Sequence, residues 1–245
     1  MRGPHPANPL AAGFYTVRDA ARLIEVGSQA RITGWLRGYA GSRIGPLLTR
    51  DFLPVDGRQE LSFLDLMEVR FVEHFRAQGV SMRALRRALE TARQIFANDK
   101  PLASDKVVFR VTDDRRNIFV EEAFRPAAKE TEDRQLWSLL TRQYEIYDLI
   151  VDRLAAGVVF DPDTAMASIW TPRPREFPTI TIDPRVAYGH PALPSGVPTR
   201  TVFDACAAED GDVDAVAHWF EIPVDQVRDA VAFETRIDGQ IQAAA

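Results

Sequence analysis

FYTVRDAARLIEVGSQARITGWLRGY, residues 14–39, is the stretch that decides the fold. Val17, Ala20, Ala21 and Ile24 recur at helical spacing, which predicts a helix over Tyr15–Ile24 with Thr16 as its N-cap. Glu25-Val26-Gly27 interrupts the pattern. Ser28 then caps a second helix, Gln29–Gly38, with Ile32, Trp35 and Leu36 facing inward. Two short helices about a tight turn predict a helix-turn-helix. Downstream, Leu47–Leu53 and Glu60–Phe63 read as short strands around Pro54-Val55-Asp56-Gly57-Arg58. Asp-Gly is a strong hairpin signal, and a hairpin directly after a helix-turn-helix is a wing.

Further along, Ser62 starts a helix to Gln78, with Leu64, Met67, Phe71, Val72 and Phe75 apolar, and Gly79 ends it. Ser81 caps the next helix, to Ala97. Lys106–Val111 and Asn117–Glu122 alternate about a polar turn and predict a second hairpin. Glu132–Ala156 carries the stripe of a long amphipathic helix. Residues 171–178 hold three prolines and read as a linker. A short strand, Thr179–Ile182, and a turn-rich stretch follow. Three helices come next: Arg200–Ala208, Asp212–Phe220 and Asp225–Thr235. The last two flank Glu221-Ile222-Pro223 and predict a second helix-turn-helix.

The expected fold is mainly α with small β-hairpins: an N-terminal winged helix-turn-helix and a C-terminal three-helix helix-turn-helix domain. The expected organisation is a flexible leader (1–13), a DNA-binding unit (14–62), a helical and hairpin middle region (63–170), a Pro-rich linker (171–178) and a rear domain (179–245).

The length of 245 residues suits one to two domains. A composition 46% hydrophobic and 27% charged fits a soluble globular protein. No apolar run approaches the roughly 20 residues of a membrane helix, and the Pro-rich start has no apolar core of a signal peptide. A single cysteine, Cys206, rules out an internal disulfide and a cysteine-based zinc site, and points to the cytoplasm. Charge is uneven. Residues 1–100 hold 15 cations and 10 acids, whereas residues 101–245 hold 15 and 25. A basic front meets phosphate, and an acidic rear suits a basic protein partner.

In a helix-turn-helix the second helix enters the major groove. The outward positions there are Ser28, Gln29, Arg31, Thr33 and Arg37. Arginine and glutamine side chains match guanine and adenine edges. Arg18, Arg22 and Arg43 are expected to add phosphate contacts. The expected partner is double-stranded operator DNA, bound by a homodimer on paired half-sites. No enzyme signature is present. The four histidines have no metal-like spacing, Asp161 and Asp163 flank a proline as turn residues do, Gly189-His190-Pro191 reads as a turn, and Cys206 lies on an apolar helix face. No catalytic residue, metal or cofactor is expected.

"YTVRDAARLI", "ITGWLRGY" and "SFLDLMEVRFVEHFRAQGVSMRALRRAL" resemble the winged helix of MerR-type regulators and the helix pair that follows it. The chain departs from that pattern in carrying Glu25 where glycine is usual, and in one extra residue between Ala21 and Ile32. "ITIDPRVAYGHPALPSGVPTRTVFDAC" and "DVDAVAHWFEIPVDQVRDAVAFE" are similar to a family of small helix-turn-helix domains grouped with antitoxins. The whole layout is similar to the longer VapB-type antitoxins. The resemblance implies a cytoplasmic, nucleoid-associated antitoxin. Such a protein neutralises a PIN-like ribonuclease toxin, represses its own operon and has no catalytic activity. Glu209, Asp210, Asp214 and Asp229 are then candidate toxin contacts, with Asp212 and Asp225 read as helix caps. Trp170 and Trp219 are candidate anchors, with Trp219 expected in the core. The resemblance leaves open whether the rear domain or the Glu132–Ala156 helix meets the toxin. Two other readings stand beside it: a stand-alone MerR-like regulator without a toxin, and a scaffold whose two helix-turn-helix units bind only protein.

Overall fold

Tyr15–Thr16 (β1) and Glu60–Leu61 (β2) pair antiparallel, Tyr15 opposite Leu61 and Thr16 opposite Glu60. Each strand runs straight into a helix that a hydroxyl group caps. Thr16 Oγ1 accepts from the Asp19 amide at 3.1 Å, and Asp19 Oδ2 accepts from the Thr16 amide at 3.0 Å. Ser62 and Asp65 repeat this capping box, with both bonds at 3.0 Å. Each box satisfies two amides that would otherwise lack partners. The strand pair therefore sets the starts of α1 (Val17–Leu23) and α3 (Phe63–Ala77) side by side.

The computed structural model describes residues 12–39, 41, 44–54, 58–111, 118–122 and 156–244. Among these, the chain is mainly helical. After α1 comes α2 (Gln29–Arg37); after α3 come α4 (Met82–Phe96), α5 (Thr199–Ala208), α6 (Val213–Phe220) and α7 (Val224–Ala244). Two small antiparallel hairpins lie between α4 and α5: β3 (Val107–Val111) with β4 (Ile118–Glu122), and β5 (Val158–Phe160) with β6 (Ala167–Trp170). The β5–β6 turn is held by Asp161, whose Oδ1 accepts from the Thr164 amide at 2.8 Å and the Asp163 amide at 3.1 Å. Sequence reading identified this turn but not the strands beside it.

Several boundaries differ from expectation. The strand expected over Leu47–Leu53 does not form. The amides of Leu47 and Leu48 instead donate to Trp35 O, at 2.8 and 3.1 Å, and tie the segment as a loop to the end of α2. Glu60–Leu61, the other expected wing strand, pairs with Tyr15–Thr16. Residues 55–57, at the expected hairpin turn, lie outside the described residues, as do residues 132–155 of the expected long helix. The strand expected over Thr179–Ile182 reduces to single bridges, Ile182 to Trp170 and Thr181 to Ala192. α7 continues to Ala244, past the expected end at Thr235.

A contiguous apolar core runs from Tyr15 in β1 to Ile237 in α7. The Pro-rich stretch 171–178 is packed against this body. Phe177 meets Phe233 edge-on at 5.6 Å, and Arg173 is ion-paired with Glu25 in the turn after α1. The Tyr15 hydroxyl donates to Gly189 O at 2.7 Å. Gly189 has φ +83°, and a Cβ there would lie 2.2 Å from that hydroxyl. The expected turn at Gly189-His190-Pro191 thus needs glycine both for its backbone and for the tyrosine beside it.

Beneath α3 lies a cluster of buried charge. Lys100 Nζ is ion-paired with Asp65, lies 3.6 Å from Asp51 and donates to Thr49 O. Glu68, fully buried one turn along α3 from Asp65, accepts a long bond from the Leu102 amide at 3.4 Å. Burial disfavours the Lys100 ammonium, but the three surrounding carboxylates outweigh it and raise its pKa. Burial lifts Asp65 as well, against the pull of Lys100. At Glu68 burial outweighs the nearby cations and pushes the pKa up to about 7.

The folded state therefore holds the Glu68 proton more tightly than the unfolded chain, where the ordinary value is 4.5. Stability from this group is full below 4.5, falls as pH rises and levels off above about 7. The whole decline is on the order of 3 kcal/mol. Glu68→Gln should flatten it, as read by urea unfolding at a series of pH values. A slope unchanged by the substitution would show that Glu68 stays ionised across that range.

Candidate nucleic-acid interface

The turn between α1 and α2 and the turn between α6 and α7 close in the same way. Glu25 takes φ +59° and the Val26 amide donates to Ala21 O at 2.9 Å. Glu221 takes φ +53° and the Ile222 amide donates to Ala217 O at 3.0 Å. Each is a left-handed residue followed by a six-to-one closing bond, the geometry that usually favours glycine. The departure at Glu25 therefore leaves the turn intact. Val26 and Ile222 are buried behind it and anchor the turns to the core.

α2 buries Ile32, Gly34, Trp35 and Leu36 and turns its other side outward. Gln29 and Arg37 are exposed; Ser28, Arg31 and Thr33 are half-buried. Ser28 stands at the N-cap, but its side chain bonds no helix amide. Arg31 is not free: its guanidinium meets both oxygens of Glu73 on α3, at 3.0 and 3.2 Å. Arg76 clasps the same carboxylate at 3.1 Å. The trio carries one net positive charge and joins α2 to α3. Arg18 is exposed on α1, and Arg43 lies outside the described residues.

Arg22 has a different task from the expected phosphate contact. Its guanidinium is ion-paired with Glu234 of α7 and lies 2.7 Å from Asp238. Glu234 is completely buried and also accepts from the Thr199 hydroxyl, which opens α5. Arg200 closes the group, 2.8 Å from Asp238. Arg22 thus fastens α1 to the last three helices.

Sequence reading missed three further features beside α2. Tyr39 is 56% exposed, and its ring lies over Gly34, where a Cβ would come within 2.4 Å of it. α4 holds four arginines against Glu90. Arg86 donates to Pro46 O and Gly45 O, at 2.8 and 2.9 Å, and Arg93 donates to Leu47 O at 3.1 Å. These two fix the loop after α2. Arg83 and Arg87 remain exposed on the same helix. The available signal was the run of arginines at i, i+3 and i+4.

At the rear, Asp212 caps α6 as expected, accepting from the amides of Asp214 and Ala215. Asp225 does not cap α7; it lies one residue inside, in the first turn. Asp210 and Asp214 are exposed, while Glu209 and Asp229 are half-buried. The two tryptophans reverse their expected environments: Trp170 is 3% exposed and Trp219 is 59% exposed. Arg70 lies over the Trp170 ring at 5.0 Å. Among the described residues no group of three or more His, Cys, Asp or Glu side chains is arranged to hold a metal ion, and no helix is long and apolar enough to cross a membrane.

No family model matches this chain. It is 26% identical over 230 residues to a Mycobacterium tuberculosis protein named "Putative antitoxin VapB45", covering 89% of this chain and 92% of that protein. The crystal structure of Rv2018 from Mycobacterium tuberculosis is similar with a TM-score of 0.59 at 23% identity, over 89% of this chain and 96% of that one. The second likeness is one of fold.

Glu234→Ala should lower stability by about 2 kcal/mol, because it removes the buried acceptor that Arg22 and the Thr199 hydroxyl share and leaves them only Asp238 and Pro191 O. Urea unfolding measures this. A loss under about 1 kcal/mol would mean that water replaces the carboxylate and that the joint is loose.

Proposed function

We propose that this chain is a DNA-binding antitoxin of the VapB type. In this reading α1 and α2 grip operator DNA and repress the chain's own operon. The last three helices hold and silence a PIN-like ribonuclease toxin. The reading carries over the notion of an antitoxin from a relative that matches nearly end to end. The observation that carries its DNA half is the outward side of α2, where Gln29 and Arg37 stand exposed above a buried Ile32-Trp35-Leu36 face.

Residues 14–62 are the reading unit, with the loop 44–54 taking the part of a wing beside α2. Ser28, Gln29, Thr33 and Arg37 face the groove. Arg18 and Arg43 meet the flanking phosphates. Arg31 contributes less than Arg37, since Glu73 competes for it. Two copies bind paired half-sites as a homodimer. Residues 179–245 are the partner unit, with Glu209, Asp210, Asp214 and Asp229 toward the toxin. The protein acts on the nucleoid in the cytoplasm and catalyses nothing. The acidity of residues 178–245, with 4 arginines and no lysine against 11 acids, favours a protein partner over a stand-alone regulator.

Mobility shifts on the DNA upstream of the gene test the first half. Arg37→Ala should weaken binding about tenfold or more, and Arg31→Ala less. Removing a side chain that neutralises one phosphate should reduce the slope of log affinity against log salt by about 0.9. Failure to retard that DNA even in dilute buffer would sink the repressor reading. For the second half, the product of the adjoining gene should co-purify with this chain and lose ribonuclease activity in the complex.

A further inference from the structure

α6 and α7 have the architecture of a DNA reader without its chemistry. Between residues 209 and 229 there are seven acids against one cation, Arg228. The first turn of α7, where a recognition helix would meet the duplex, presents Asp225 to solvent. Phosphate is repelled there. The equivalent first helix-turn-helix, with six arginines against two acids between residues 14 and 50, attracts it.

α6 is the outward helix of this unit. It packs on α5 and α7, while α7 takes the contact with α1. Its inner side buries Val216 and Ala217. Its outer side carries one large apolar group, Trp219, in line with Ala215 and the capping Asp212 at helical spacing. Asp214 and Glu221 are exposed on the same helix and its closing turn. An exposed tryptophan among acids is the composition of an interface anchor with a polar rim.

We infer that the outer side of α6, which carries Trp219 at one edge, Asp214 at the opposite edge, and Glu221 and Asp225 beyond its carboxyl end, is the surface on which a cationic protein docks. Its occupant is the RNA-binding groove of the toxin, so the identity of the partner rests on the antitoxin reading. A groove that holds RNA must offer arginines and lysines to phosphate. The acids of α6 and its turns take the place of those phosphates, and Trp219 takes the place of a stacked base. Thus the second helix-turn-helix reads protein, and the first reads DNA.

Glu221 adds a readout that a merely structural role does not share. It occupies a left-handed position, and it puts negative charge at the carboxyl end of α6. Glu221→Gly relieves both, so the variant should melt higher while binding the toxin more weakly.

Calorimetric titration of this chain with a catalytically silenced product of the adjoining gene tests the inference. Trp219→Ala should weaken the complex at least about 30-fold, the effect typical of an interface anchor. Asp214→Lys with Asp225→Lys should weaken it about tenfold and flatten its salt dependence. Both should leave operator retardation unchanged, and Arg37→Ala should leave toxin affinity unchanged. If wild type binds the toxin and Trp219→Ala stays within twofold of it, this docking surface is wrong and the antitoxin reading survives. If wild type does not bind the toxin at all, both fall. If Trp219→Ala weakens operator binding instead, the surface reads DNA and the inference is overturned.

Discussion

Glu234 is the constraint around which the rest of the structure is arranged. A carboxylate with no exposure to water is tolerated only where cations and donors replace its hydration. Arg22 arrives from α1, Thr199 from the start of α5, and Arg200 closes the group from outside. Arg22 comes from the front of the chain and Thr199, Arg200 and Glu234 from the back, so satisfying one carboxylate fixes how the front of the molecule sits on the back. The Tyr15 hydroxyl bonded to Gly189 O adds a second tie between the same two regions. The Phe177–Phe233 contact and the Arg173–Glu25 pair close a third.

This joint separates the arginines of the front unit by purpose. Arg22 is taken up by the joint, Arg31 by Glu73, and Arg86 and Arg93 by the carbonyls of the loop after α2. Those four hold α1, α2 and the loop after α2 in position. Arg18 and Arg37 remain exposed on α1 and α2, and Arg83 and Arg87 on α4. A basic segment thus holds both arginines spent on the scaffold and arginines left exposed, and net charge alone does not distinguish the two. The Lys100 cluster serves the scaffold as well. Its ammonium links the α3 capping box to Thr49 O, beside the Leu48 amide that is tied to the end of α2.

The α1–α2 and α6–α7 turns show how one backbone solution accepts opposite chemistries. Both turns use a glutamate in the left-handed region and a buried aliphatic residue after it. One unit exposes glutamine and arginine, the other aspartate and tryptophan. Backbone closure depends on the bonds from Val26 and Ile222 amides, which are indifferent to the outward side chains. The outward residues are thereby free to vary while the turn is kept.

Sequence alone determined what depends on neighbours within a few residues. The helices of 14–39, 62–97 and 199–235, the caps at Thr16, Ser62, Ser81 and Asp212, and the turns at Asp161-Pro162 and Gly189 are all local, because spacing and hydroxyl chemistry act across one helical turn. What it missed depends on distant partners. Glu60–Leu61 reads as half of a wing until Tyr15–Thr16 offers it a closer edge. Arg22 reads as a phosphate ligand until a residue 212 positions away claims it. Trp219 is expected in the core and Trp170 as an anchor; only the packing of α6 outward on α5 and α7, and of Arg70 over Trp170, decides which one meets water. Local rules set which elements form, and the burial of a few charged and aromatic groups by remote parts of the chain sets which faces stay exposed.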